Sequence, residues 1–233
     1  MLSSYSREAL KKVSTATLTT VLFKRGLRNV FIQGIFLLSA NKSARMVGEA
    51  FTLRYIPARE DIDQLGAFEG RGHPQREAIE ACPPGHVLVM DARRDASAAT
   101  GGDILMTRLM VRGTAGIVTD GGLRDSTTIE KLDFPVYCGA RSAPLNLVRH
   151  HAIDMQQPIG CGGVAVYPGD VLVGDGEGVV VIPAKMADEV AREAEAQTHF
   201  EDWVEMKVKE GRGIFGLYPP NAETKAEFEA WKA

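Results

Sequence analysis

The stretch "GGDILMTRLMVRGTAGIVTDGGLRDSTTIEKLDFPVYC", residues 101–138, decides the fold class. Its apolar residues at helical spacing predict a helix over 103–112, closed by Gly113, and the β-rich run after it predicts a strand over 116–119. Thr127-x-x-Glu130 has the pattern of a capping box, so a second helix is expected from about Thr128, followed by a strand at 136–138. Helices and strands alternating across short connections are the signature of an α/β domain.

Outward from this block, "GHVLVMDA" and "VGEAFTLRYI" read as strands. The polar stretch 57–74 between them reads as a loop, with a short helix starting near Pro74. Toward the N-terminus, Leu10, Val13, Leu18, Val21 and Leu22 fall near helical spacing, predicting one helix over 6–25 that ends at Gly26 and is kinked around "STATLTT". After Ile159 the pattern becomes "GVAVYPGDVLVGDGEGVVVIP", where Asp175-Gly176 between two Val-rich runs signals an antiparallel hairpin or meander added to the sheet. "GDGEGV" lacks the spacing and the Lys-Ser/Thr of a phosphate loop, and so reads as a turn. A long helix over 185–209, the loop "GRGIFGLYPP" and a short helix capped by Asn221 follow. Residues 1–233 thus read as one mixed α/β domain whose 185–233 segment is a helical C-terminal extension.

Composition narrows the function classes. Hydrophobic residues make up 45% of the 233 residues and charged residues 24%, as in an ordinary globular protein. A formal net charge of −3 without a basic block gives no electrostatic footprint for direct binding of nucleic acid or an anionic membrane. Cys82, Cys138 and Cys161 are widely spaced and odd in number, which suggests buried thiols in a reducing, cytoplasmic setting. The longest apolar run, "FIQGIFLLSA", is too short and broken to span a bilayer.

Arg124 and Asp125 fall in the turn after the strand at 116–119, where α/β sheets open onto a ligand crevice. Two readings fit the pair: Asp125 complements a helix N-terminus beside a solvated arginine, or both face a ligand. "GGD" opens another helix toward the same sheet edge, with Asp103 in its first turn and amides at about Ile104, Leu105 and Met106 able to hold a carboxylate. Two carboxylates, one arginine and a helix end suit a hard divalent cation that keeps positions open for an α-keto acid. Glu201 lies on the apolar stripe of the long tail helix with Val190, Ala194, Val204 and Val208, so it needs a partner: an Arg or Lys nearby, or, if the helix packs on a neighbouring subunit, that subunit's site. His73, in the polar loop, could face a substrate or solvent.

From about Ser14 to Pro183 the chain resembles the RraA-like proteins, which include metal-dependent class II 4-hydroxy-4-methyl-2-oxoglutarate aldolases. The resemblance is carried by the pairing of "GGDILMTRLMVRGTAGIVTDGGLRD" with "PGDVLVGDGEGVVVIP", and more weakly by "VGEAFTLRYIP" and "PPGHVLVMDA". It implies an αββα sandwich and a homotrimer, or a hexamer of two trimers. It also implies Mg²⁺ or Mn²⁺ held directly by Asp125 and through water by Asp103, with Glu201 of an adjacent subunit a further water-mediated ligand. Arg124 would stabilise a pyruvate enolate, and Gly102, Ile104, Leu105 and Met106 would line the keto-acid site. The implied reaction is cleavage of a 4-hydroxy-2-keto acid to pyruvate and a carbonyl product, with oxaloacetate decarboxylation as a side activity. Some members instead bind and inhibit ribonuclease E without catalysing anything.

Overall fold

The computed structural model describes residues 2–41 and 45–232. In chain order the helices are α1 (Ser4–Leu10), α2 (Thr15–Lys24), α3 (Pro74–Ala81), α4 (Asp103–Val111), α5 (Ser126–Ile129), α6 (Ala187–Lys209) and α7 (Ala222–Lys232). The strands are β1 (Phe36–Leu37), β2 (Met46–Pro57), β3 (His86–Asp91), β4 (Gly116–Thr119), β5 (Gly122–Leu123), β6 (Val136–Cys138), β7 (Ala140–Arg141), β8 (His150–Met155), β9 (Ile159–Cys161), β10 (Val164–Val166), β11 (Val171–Gly174) and β12 (Val179–Ile182).

The main sheet runs β1-β6-β4-β3-β2-β11-β12, with β8 also paired to β2. β2, β3, β4 and β6 are mutually parallel, and β1, β8, β11 and β12 join antiparallel. The sheet curls, and the period-2 alternation of its strands shows how. Leu88 and Met90 of β3 face α3, α4 and α5, while Val87 and Val89 face inward. In β11 and β12, Val171, Val173, Val180 and Ile182 pack under α1, α2 and α6, while Leu172, Val179 and Val181 turn to the same inner core as Val87 and Val89. Two halves of one sheet therefore meet face to face between two helical layers, an αββα sandwich. Burial of each large apolar side chain contributes about 1.5–3 kcal/mol. Tyr137 closes the curl, its hydroxyl donating to Asp175 O at 2.9 Å. Gly174 makes room, since a Cβ there would lie 2.7 Å from that hydroxyl.

Two expected elements differ. The single helix over 6–25 is two helices, because Ser14 Oγ accepts the Thr17 N–H (3.0 Å) and starts α2 afresh while Val13 turns into the core. The capping box at Thr127 does not form: α5 begins at Ser126, Thr127 lies inside it, and Glu130 pairs with Arg141 instead. The Asp175 hairpin is as expected. Its carboxylate accepts from Thr15 N and Oγ1 (both 2.9 Å) and from Arg45 (2.8 Å), tying the start of α2 to the turn.

All three cysteines are buried and free, and burial pushes the Cys82 and Cys138 thiols up to about 12. No described helix is long and apolar enough to cross a membrane. The extension has its own small core, in which Trp203, Val204, Leu217 and Phe228 pack α7 back onto α6 of the same chain.

Candidate functional site

The loops that leave the carboxyl ends of β3 and β4 are joined by backbone hydrogen bonds. Thr100 N donates to Gly122 O (2.8 Å), Gly122 N to Ala98 O (3.3 Å) and Arg124 N to Gly101 O (3.1 Å). Such close approach requires glycine: a Cβ on Gly122 would lie 2.9 Å from both Ala96 O and Ala98 O. Beneath them, buried Asp120 accepts from Ala92 N (2.7 Å), Arg94 N (3.1 Å) and Gly162 N (3.0 Å), which shapes the loop after β3. Burial, with Asp91 nearby, raises the Asp120 pKa above the usual carboxylate range.

This stitching brings the two acid-bearing turns together. Asp103, Arg124 and Asp125 line one cavity of about 270 Å³, with Gly101, Gly102, Ile104 and Leu105 on the same wall. Asp125 sits in the left-handed region (φ 56°, ψ 32°), a conformation that costs energy in a residue other than glycine and that recurs at functional sites. It caps α5 only through its carbonyl, which accepts from Thr128 N and Ile129 N; its side chain makes no capping bond. The carboxylate instead accepts from Arg124 Nε at 3.2 Å and lies against Gly102, where a Cβ would come within 2.6 Å of Oδ2. The arginine and the aspartate thus share one orientation, and a bare backbone forms the floor beneath them.

The amides at the start of α4 are less free than the sequence suggests. Leu105 N and Met106 N both donate to Gly102 O (3.1 and 3.2 Å), and Ile104 N donates to Asp103 Oδ1 (2.8 Å). Met106 is buried beneath the wall rather than on it. Contact with a ligand on this wall therefore falls to Gly102, to the exposed side of Ile104 and to the charged side chains. Glu201 does not line the cavity. Its Oε2 accepts from Thr17 Oγ1 (2.7 Å), and its Oε1 accepts from Gln197 Nε2 (2.9 Å) and Tyr218 OH (3.1 Å), so among the described residues its partners are hydroxyls and an amide rather than a cation.

The rest of the cavity was not visible in the sequence. Leu65 and Phe68 come from the long polar loop, Gln75 and Arg76 from α3, and Leu145 and Asn146 from the turn after β7. The loop is held down by His151 Nδ1 on the Asp63 carboxylate at 2.7 Å. His73 is half-buried against Phe68 (ring centroids 4.8 Å apart) at the start of α3, outside the cavity lining, and burial and nearby Arg76 lower its pKa.

The described residues contain no group of three or more His, Cys, Asp or Glu arranged as a metal cluster. Two carboxylates on one cavity wall, with the Gly102 backbone leaving space beside Asp125, suit a hard divalent ion, which takes one or two protein carboxylates and fills its other positions from water or substrate.

Residues 15–181 match the RraA-like family, described as Aldolase/RraA. A curated protein of Halalkalibacterium halodurans named "Putative 4-hydroxy-4-methyl-2-oxoglutarate aldolase" is 37% identical over 155 residues, which cover 66% of this chain and 67% of that one. Among solved structures, an uncharacterized protein of Pseudomonas syringae superposes with a TM-score of 0.81 at 25% identity, covering 93% of this chain and 94% of that one. Streptomyces coelicolor RraAS2, described as an unusual member of the RNase ES inhibitor RraA protein family, gives a TM-score of 0.77 at 29% identity, covering 88% and 98%.

Proposed function

The chain belongs to the RraA-like family, and from this premise and the cavity at Asp103, Arg124 and Asp125 we propose that it is a divalent-metal-dependent class II pyruvate aldolase. It would cleave a 4-hydroxy-2-keto acid to pyruvate and a carbonyl product. One observation carries the reading: the Asp125 side chain, in a strained backbone conformation, is released from capping α5 and set beside Arg124 against Gly102 in a cavity shared with Asp103.

Asp125 directly, and Asp103 through water, would hold Mg²⁺ or Mn²⁺, which when bound supplies Lewis acidity to the keto and carboxylate oxygens of the substrate. The chain's own residues do the rest. Arg124 donates to the keto oxygen as the C3–C4 bond breaks and that oxygen takes up the charge of the pyruvate enolate. Asp103 Oδ1 is engaged by Ile104 N–H, leaving Oδ2 to accept the C4 hydroxyl proton. Leu65 and Phe68 add apolar surface to the cavity wall opposite the charged groups. Loss of CO2 from oxaloacetate leaves the same enolate, so decarboxylation is the expected side activity.

The family also implies a homotrimer or a hexamer, in which Glu201 would serve an adjacent subunit. A competing reading, implied by the family resemblance, is a non-catalytic regulator that binds ribonuclease E; RraAS2 is described as a member of an RNase ES inhibitor family. Such a regulator has no need of Asp103, Arg124 and Asp125 converging on a cavity. The deciding experiment is pyruvate release from oxaloacetate and from a panel of 4-hydroxy-2-keto acids, with Mg²⁺ and with EDTA. Metal-dependent pyruvate supports the aldolase; none from any acid, together with inhibition of ribonuclease E, supports the regulator.

A further inference from the structure

The cavity has two unlike sides. Asp103, Arg124 and Asp125 carry the charge on one, and Leu65, Phe68 and Leu145 supply apolar surface on the other, around a space of about 270 Å³ that would hold about nine waters. Leu65 is 72% exposed, and Ile104, next to Asp103 in the lining, is 77% exposed. A single exposed leucine is ordinary, but large apolar side chains gathered around one cavity form a surface that a ligand can cover. The polar residues on this side turn their hydrogen-bonding groups elsewhere. Gln75 is buried and donates to Thr100 O at 2.7 Å, and Asn146 Nδ2 lies inside the fold with no accessible surface. Exposed Arg76 lays its guanidinium over the Phe68 ring at 4.8 Å, where the ring face offsets its charge and water keeps the rest hydrated. The apolar side is also fixed in advance. Asp63 accepts from Arg59 N and meets His151 Nδ1, both at 2.7 Å, which anchors the loop two residues before Leu65, and Ala67 N donates to Gln64 O (2.8 Å) to close the turn that carries Leu65 and Phe68. A surface held in place before binding loses little freedom when a ligand covers it.

The reaction decides which part of the substrate meets this surface. The carboxylate, the keto oxygen and the C4 hydroxyl all belong with the charged side, so the group left to reach across the cavity is the substituent on C4. We propose that this substituent is an uncharged aryl or branched alkyl group seated against Leu65, Phe68 and Leu145, so that the product released with pyruvate is an apolar aldehyde. The inference rests on the aldolase reading and names its substrate class. As the C3–C4 bond breaks, its electron pair passes into the enolate, the C4 hydroxyl gives up its proton and becomes the aldehyde carbonyl, and C3 takes up a proton, so no further reactant is consumed. A carboxylate in the same place would lose hydration against Leu65, Phe68 and Leu145, which have no side-chain donor to replace it.

The test measures pyruvate release in Mg²⁺ from 4-hydroxy-2-keto acids that carry hydrogen, methyl, ethyl, propyl, phenyl or carboxylate on C4. In the wild-type protein kcat/KM should rise about 4-fold per methylene along the alkyl series, the worth of burying each one, and the phenyl acid should exceed the carboxylate acid by about 10-fold or more. Leu65→Gln, at an exposed turn position where folding is not at stake, should cut the preference for phenyl over hydrogen about 10-fold, and Leu65→Met should keep it. A carboxylate acid cleaved as well as the phenyl acid, a flat alkyl series, or a Leu65→Gln protein whose preference is unchanged or whose losses are equal on the phenyl and hydrogen acids overturns the apolar subsite. Solvent deuterium exchange into the methyl group of pyruvate separates the two levels. If the wild type exchanges pyruvate but shows no apolar preference, the subsite alone fails; if it neither exchanges pyruvate nor cleaves any of the acids, the aldolase reading fails and the subsite with it.

Discussion

Gly102→Ala separates the site from the fold more cleanly than removing a charge does. Gly102 has φ −131° and ψ −176°, an extended conformation that alanine adopts without strain, so the backbone tolerates the change. The new methyl would stand 2.6 Å from Asp125 Oδ2 and 3.1 Å from Arg124 Nε, against ordinary contact beginning at 3.4 Å. Both side chains are about half exposed and can swing away, so the carboxylate must retreat by about 0.8 Å. A displacement near 1 Å in a positioned catalytic group costs on the order of 10²-fold in rate. We therefore expect kcat/KM for pyruvate release to fall about 10- to 100-fold, with a parallel loss of Mg²⁺ affinity by calorimetry. Stability should hold within about 1 kcal/mol, or a few degrees in Tm, because the entropy gained by losing a glycine offsets part of the crowding. Full activity and unchanged metal affinity in Gly102→Ala would refute the placement of Asp125 and Arg124 at the reacting centre.

Asp125→Asn should abolish Mg²⁺ binding by calorimetry while leaving the circular dichroism spectrum intact, since the side chain does not cap α5. Arg124→Ala should lower kcat by ~10²–10³, as expected for loss of an oxyanion donor, and proton inventory or trapping experiments should show slower enolate formation. Glu201→Ala removes the acceptor for Thr17, Gln197 and Tyr218 and should cost about 1–3 kcal/mol in urea unfolding. If Glu201 also serves a neighbouring subunit, mixing that variant with Asp125→Asn subunits should restore activity; failure to complement removes the cross-subunit role. His150 is fully buried, and burial together with Arg93 holds its pKa below 6.5, so the unfolded chain takes up the proton first. Its contribution to stability is complete above pH 6.5 and is lost as the pH falls below it, so Tm should drop between pH 7 and 5, less steeply in His150→Gln.

Much of the fold could be read because the strands of β3, β11 and β12 carry a clear pattern and the Asp175 turn joins two valine runs. The break between α1 and α2 could not, because Leu10, Val13 and Leu18 keep nearly helical spacing across it and only the side-chain bond of Ser14 marks a restart. At the site, the glycine pairs announced close backbone approach, and the adjacent Arg124-Asp125 suggested a ligand. That the Asp125 side chain leaves α5 uncapped became visible only with its left-handed backbone, a tertiary outcome that overrode the apparent capping box at Thr127. Asn146 and Gln75 gave no signal, since an amide in a loop and an amide in a short helix gain meaning only when the chain folds them onto one cavity.

The central claim is that Asp125 and Arg124 generate a pyruvate enolate with a divalent metal. Solvent deuterium exchange into the methyl group of pyruvate, followed by proton NMR in Mg²⁺, in EDTA and with Asp125→Asn, tests it most directly. Exchange in Mg²⁺ alone, lost in EDTA and in the variant, is the expected result. No exchange by the wild type in any divalent metal, or exchange that survives both EDTA and Asp125→Asn, would contradict it.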